Sequence, residues 1–102
     1  MPWPKVVPIL TEDDICRGVL EKCESRCLRG WAIETFGGHM VGVFGNPSVE
    51  ANKVLRTIRL DVGMNTVLFN DSRKNSLKRI AAAWNRAVRK LGYTVSCDRE
   101  AP

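Results

Sequence analysis

The sequence reads as a small α+β domain, an antiparallel sheet packed against N- and C-terminal helices with a shorter helix between them. Three observations lead there. Residues 73–90 are apolar along one helical stripe and basic elsewhere, residues 12–28 repeat apolar side chains at helical spacing behind an acidic start, and residues 31–44 form two β-prone runs around Gly37-Gly38. A chain of 102 residues, 44% of them hydrophobic, is expected to form one domain with its own core.

Residues 1–10 carry three prolines and are expected to form an extended arm, with Trp3, Val6, Val7 and Ile9 able to dock on the domain. The domain proper spans 11–95, and a polar tail follows at 96–102. Thr11 can cap a helix whose first turn holds Glu12, Asp13 and Asp14, with Asp14 in the reciprocal capping position. That helix is expected to run to about Leu28, end at Gly30 and bury Cys16, Val19, Leu20, Cys23 and Cys27. A hairpin follows, residues 31–36 and 39–44 joined by the glycine pair. Residues 46–62 admit two readings. Asn46-Pro47-Ser48 signals a helix start, and Ala51, Val54, Leu55 and Ile58 fit one helical face. Yet residues 58–62 alternate as a strand does, so the expectation is a helix over about 48–57, then a strand. Residues 66–69 are expected to form a strand in either case.

The last element is the clearest. At about 100° per residue, Leu77, Ile80, Ala81, Trp84, Ala87, Val88 and Leu91 fall in one arc. Lys78, Arg79, Arg86, Arg89 and Lys90 fall opposite, with Ala82 among them and Asn85 at the border. Asn75 or Ser76 can cap the start, Gly92 suits a left-handed end, and Arg89 with Lys90 complement the helix dipole at its C-terminus. Arg73, Lys74, Lys78 and Arg79 crowd the positive pole, a conflict that an anion such as the Asp71 side chain or an external phosphate would relieve.

Charge is concentrated in this element. Seven of sixteen Lys and Arg residues lie in 73–90 with no Asp or Glu, giving +7 there, while nine basic and eleven acidic residues leave −2 elsewhere. The chain's net charge of +5 therefore comes from one segment. Two readings of it stand side by side. Lys and Arg are good helix formers that occupy solvated faces, their alkyl stems covering apolar surface. Against that, an ordinary exposed helix interleaves Glu with Lys four residues apart, and no such pair occurs here. The second reading is an anionic partner, most simply nucleic acid, met by Arg73, Lys74, Lys78, Arg79, Arg86, Arg89 and Lys90.

Other chemistry has little support. No apolar run is long enough to span a membrane, and the N-terminus lacks the apolar stretch of a signal peptide, so a cytoplasmic protein with reduced thiols is expected. On one helix Cys16 and Cys23 would lie about 10.5 Å apart, whereas thiolates sharing a zinc ion sit within about 4 Å of each other. With no C-x-x-C and a single His39, no metal site is expected; the helical cysteines read as small buried hydrophobes and Cys97 as an exposed thiol. His39 beside Gly38 is explained by turn chemistry, Asp13 and Asp14 by the helix dipole. The glycines of residues 37–45 match no nucleotide-phosphate loop. Neither an enzyme nor a cofactor is expected.

If the basic helix binds nucleic acid, a strand at 66–69 argues against a helix-turn-helix, which needs a partner helix three or four residues upstream. The run Ser72-Arg73-Lys74 ahead of Leu77-Lys78-Arg79-Ile80-Ala81-Ala82 resembles the last helix of double-stranded-RNA-binding domains, which grip phosphates with little sequence preference. A second resemblance covers more of the chain. Arg29-Gly30-Trp31, then Leu68-Phe69-Asn70-Asp71 and a final helix that ends in residues 87–91 looks like a small uncharacterised domain family of bacteria and phages, with an aromatic-Asn-Asp segment before its last helix. It implies no activity, but it makes a phage or mobile-element accessory protein reasonable. From the residues alone, Asn70 and Asp71 read as strand-to-helix turn residues. Two functions follow: a nucleic-acid-binding module, or an inhibitor or assembly subunit whose basic helix docks on an acidic protein surface.

Overall fold

The computed structural model describes residues 6–17, 21–22, 25–41 and 44–96. Along the chain these form β1 (Val7–Pro8), a 3-10 turn (Glu12–Asp14), β2 (Glu21–Lys22), β3 (Ser25–Arg26), α1 (Leu28–Phe36), β4 (Gly38–Val41), β5 (Phe44–Pro47), α2 (Val49–Val62), α3 (Thr66–Asp71), α4 (Leu77–Lys90) and β6 (Val95–Ser96). The class is α+β, with helices dominant. The strands pair as three two-stranded ribbons, β2–β3 and β4–β5 antiparallel and β1–β6 parallel.

The expected N-terminal helix is replaced by a single turn and a ribbon. The Asp14 carboxylate accepts from both the Thr11 N–H (2.7 Å) and the Thr11 hydroxyl (3.0 Å), so the capping signal is real. The backbone beyond it is claimed by other elements. The Asp14 carbonyl, which a continuing helix would use, accepts from the Trp31 indole at 2.7 Å. Cys16 donates to the Arg26 carbonyl, and Ile15 bridges Arg26. Val19, Leu20 and Cys23 lie outside the described side chains.

Residues 28–36 form a helix, where a strand was expected over 31–36. Leu28, Gly30, Trp31, Ala32, Ile33 and Phe36 are all buried, so the helix shows no polar face and its β-prone residues dominate the pattern. Gly30 does not end a helix; its N–H donates to Sγ of the capping Cys27 at 3.4 Å. The hairpin exists, displaced to β4–β5, with His39 opposite Asn46 inside the ribbon instead of at its turn. Gly37, at φ +100°, ends α1 and Gly38, at φ +137°, starts β4. A Cβ on Gly38 would collide with the Asn46 carbonyl oxygen.

The helix opened by Ser48, whose hydroxyl accepts from the Ala51 N–H at 3.2 Å, runs through to Val62 and stops at left-handed Gly63. The strand expected over 58–62 is therefore helical, its alternation created by exposed Leu60. The strand expected over 66–69 is also helical: Asn65 Oδ1 accepts from the N–H groups of Val67 and Leu68 and starts α3.

The core joins Leu28 and Phe36 of α1, Val54 and Ile58 of α2, Phe69 of α3 and Ile80, Trp84 and Val88 of α4. Each such side chain contributes about 1.5–3 kcal/mol by leaving water. Phe36 lies between Trp84 and Tyr93, with ring centroids 6.2 and 5.0 Å away. Residues 6–10 are part of this packing: Val7 and Leu10 are buried and the Trp84 indole donates to the Pro8 carbonyl at 2.9 Å. Trp3 lies outside the described residues. Among the described residues no helix is long and apolar enough to cross a membrane.

Candidate nucleic-acid interface

Helix α4 begins where its sequence places it. Ser76 caps it by accepting from the Arg79 N–H at 3.1 Å, and Gly92, at φ +85°, follows its last turn. The preceding turn is pinned through Asn75, a buried residue whose amide donates to the Phe69 carbonyl at 3.1 Å and whose own carbonyl accepts from the Arg17 guanidinium. Arg73 and Lys74 are exposed on that turn. The first turn of α4 contains no acidic residue, so within the helix its start is satisfied by Ser76 alone.

Ile80, Ala81, Ala83, Trp84, Ala87 and Val88 are buried against the core. Asn85 sits at the border and grips Leu10, accepting from its N–H at 2.8 Å and donating to its carbonyl at 2.9 Å. The remaining arc, about 120° wide at 100° per residue, holds Lys78, Arg79, Ala82, Arg86, Arg89 and Lys90. All five of these cations are exposed. From Lys78 to Lys90 the face runs about 18 Å at 1.5 Å per residue. One strand of duplex DNA advances about 3.4 Å per phosphate along its axis, so about five such steps cover the same length.

One feature was invisible in the sequence. Asp61, on neighbouring α2, receives Nε of Arg86 at 2.9 Å and a terminal guanidinium nitrogen at 2.8 Å on the same carboxylate oxygen. The pair is half-exposed and partly neutralises one of the five cations. Asp61, Arg86, Ala87, Arg89 and Lys90 together line a groove of about 480 Å³ between the two helices. The residues are 25 apart in sequence, so only the α2–α4 packing brings them together.

The aromatic-Asn-Asp segment has a structural role. Asn70, 2% exposed, accepts from the first N–H of α1 at Leu28 (2.9 Å) and donates to the Cys16 carbonyl (2.9 Å) and to Asp71 (3.1 Å). It ends a helix instead of turning a strand into one. Phe69 and Trp31 are buried in the same core, so the two segments that carry the resemblance meet in space.

Cys16 is buried, and burial pushes the half-buried Cys27 thiol above its ordinary range despite the opposing N–H groups of Gly30 and Arg29, so it stays protonated. Cys97 lies outside the described residues. Among the described residues no three His, Cys, Asp or Glu side chains gather as metal ligands. His39 is exposed on its strand.

A helix, α3, and not the expected strand precedes α4, so nothing upstream excludes a helix-turn-helix; residues 72–76 connect the two helices. The likeness to a double-stranded-RNA-binding domain is confined to the helix, because among the described residues α4 packs mainly on α2 and the 3-10 turn and meets a two-stranded ribbon at its border, where Trp84 bonds Pro8. Compared with protein-family models, with curated proteins and with solved structures, the chain gives no match.

Proposed function

We propose that this chain is a small non-enzymatic nucleic-acid-binding module that holds phosphates on the exposed face of α4. The observation that carries this reading is the composition of that face: five cations, one alanine and no acid on a helix whose other side is locked in the core. A rigid helix fixes the stems of Lys78, Arg79, Arg86, Arg89 and Lys90 within one arc, and exposed Arg73 and Lys74 lie in the turn that precedes it. Guanidinium groups bind phosphate oxygens two at a time, whereas lysines act as point charges. Such contacts neutralise the backbone without reading bases, so binding is sequence-tolerant and steeply salt-dependent.

The test is fluorescence anisotropy with labelled single- and double-stranded DNA and RNA at low and physiological salt. The comparison is a variant carrying Lys78→Gln, Arg79→Gln, Arg86→Gln and Arg89→Gln. Four to six phosphate contacts give a slope of log K against log salt of about −4 to −5, which the fourfold variant should flatten to between 0 and about −2. Binding that survives these replacements unchanged overturns the proposal.

A second reading is favoured by another observation. Leu60 (77% exposed), Leu68 (62%), Val67 (44%) and Met64 (36%) leave apolar surface open around the α2–α3 junction. A phage or mobile-element inhibitor or assembly subunit, using α4 against an acidic protein, would be recovered with one protein partner after nuclease treatment.

A further inference from the structure

A second basic site lies away from α4, where α1, α2 and α3 meet. A groove of about 330 Å³ is lined by Arg29 from α1, Arg56 and Arg59 from α2, and Asn65 at the start of α3, with Leu55 and Val67 as apolar walls. No Asp or Glu is among the described residues lining it. On α2, Arg56 and Arg59 stand about 140° and 160° round the axis from Asp61, the residue that meets α4. The groove and the α4 face therefore occupy opposite flanks of one helix.

The groove has the construction of an anion site. Arg56 and Arg59 are three residues apart, a spacing that makes side chains neighbours on a helix, and like charges there repel. Neither forms an ion pair among the described residues, and a third guanidinium faces them from another helix. Asn65 commits its Oδ1 to the N–H groups of Val67 and Leu68, which leaves its Nδ2 as a further donor. The geometry is fixed by Thr66, whose hydroxyl donates to the Leu55 carbonyl at 3.1 Å and ties α3 to α2.

The forks of Arg56 and Arg59 and the Asn65 amide nitrogen offer three sets of donors, which answer the three oxygens and double negative charge of a terminal phosphate more fully than the two oxygens and single charge of a carboxylate. The volume is at the small end of the range for ligand sites, about 300–1,000 Å³. Leu55 and Val67 give the non-phosphate part of a ligand an apolar surface. We propose that this groove binds the terminal phosphate of a nucleotide, free or at the 5′ end of a strand, through Arg56, Arg59 and Asn65, with Arg29 adding positive charge at its wall. The site is independent of the α4 face, and either can fail without the other.

The test is a 1H–15N chemical-shift titration of the full chain with AMP, adenosine, inorganic phosphate and a short oligonucleotide with and without its 5′ phosphate. Saturable shifts at residues 52–59 and 65–67 are expected with AMP or the 5′-phosphorylated strand, and none with adenosine or the 5′-hydroxyl strand. A preference between the first two identifies the source of the phosphate. The double variant Arg56→Gln, Arg59→Gln should weaken binding by about tenfold or more, while Lys53→Gln and the four-residue α4 variant should leave it unchanged. Shifts confined to α4, equal responses to AMP and adenosine, equal affinity for AMP and inorganic phosphate, or wild-type affinity in the double variant would each overturn the assignment. The wild-type shift map decides the matter even if the double variant folds poorly.

Discussion

Asn70 is a buried polar residue that ties together two distant stretches of backbone. Its amide oxygen satisfies the first N–H of α1 and its amide nitrogen satisfies Cys16, in a site 2% exposed. Asn70→Ala removes both of these hydrogen bonds and opens a small void, at a cost of about 2–4 kcal/mol, to be read from urea denaturation. Asn70→Asp separates hydrogen bonding from shape. The new carboxyl keeps the volume but, when ionised, cannot donate to the Cys16 carbonyl and lies beside Asp71. Burial raises its folded pKa above the unfolded value, so the stability gap to the wild type should be smallest below about pH 4 and widen as pH rises. A gap independent of pH between 4 and 7 would show that the site admits water. In the sequence Asn70 is one of two polar residues before a helix and reads as turn chemistry; its buried partners are 42 and 54 residues away, out of reach of any local pattern.

Helix α4 was legible because both of its faces announce themselves, an apolar stripe set against an unbroken basic one, with Ser76 at the start and Gly92 after the end. Helix α1 was not, because a helix buried on nearly every side loses the period that distinguishes it from a strand. The one-turn start at Thr11 shows the opposite failure: the local cap formed as read, but the Trp31 indole and Arg26 took the backbone groups a longer helix needs. At the candidate interface, the cations were legible and their restraint was not. Asp61 is the acid that the described residues place on the basic face, paired with Arg86 at an exposed site. Asp61→Asn should therefore cost at most about 1 kcal/mol of stability. It should also free Arg86, tightening binding to duplex DNA and steepening the salt slope by about 1. Anisotropy titrations across a salt series measure both. An unchanged slope and affinity would remove Arg86 from the contact set.

Considered as a whole, the molecule is closed by pairing between its first and last described segments. Val7 and Pro8 pair in parallel with Val95 and Ser96, the Val7 N–H reaches the Thr94 carbonyl at 2.8 Å, and Trp84 and Asn85 bond the backbone of Pro8 and Leu10. The proline-rich segment thus covers one border of α4 while the basic face looks the other way, so the interface is held in shape from behind. Removing residues 1–10 exposes the surface that Val7 and Leu10 cover, about 3–6 kcal/mol of burial for two such side chains. It also strips the buried Trp84 indole and the Asn85 amide of their partners, about 1–3 kcal/mol each. Against a total stability of about 5–15 kcal/mol, the shortened chain should lose its cooperative urea transition and the near-ultraviolet circular dichroism of Trp84. It should also lose nucleic-acid binding, although every basic residue of α4 is retained. Leu10→Ala, at about 2–5 kcal/mol, should weaken the same transition without abolishing it. A shortened chain that melts cooperatively within about 1 kcal/mol of the full one would mean that the core closes without the clasp.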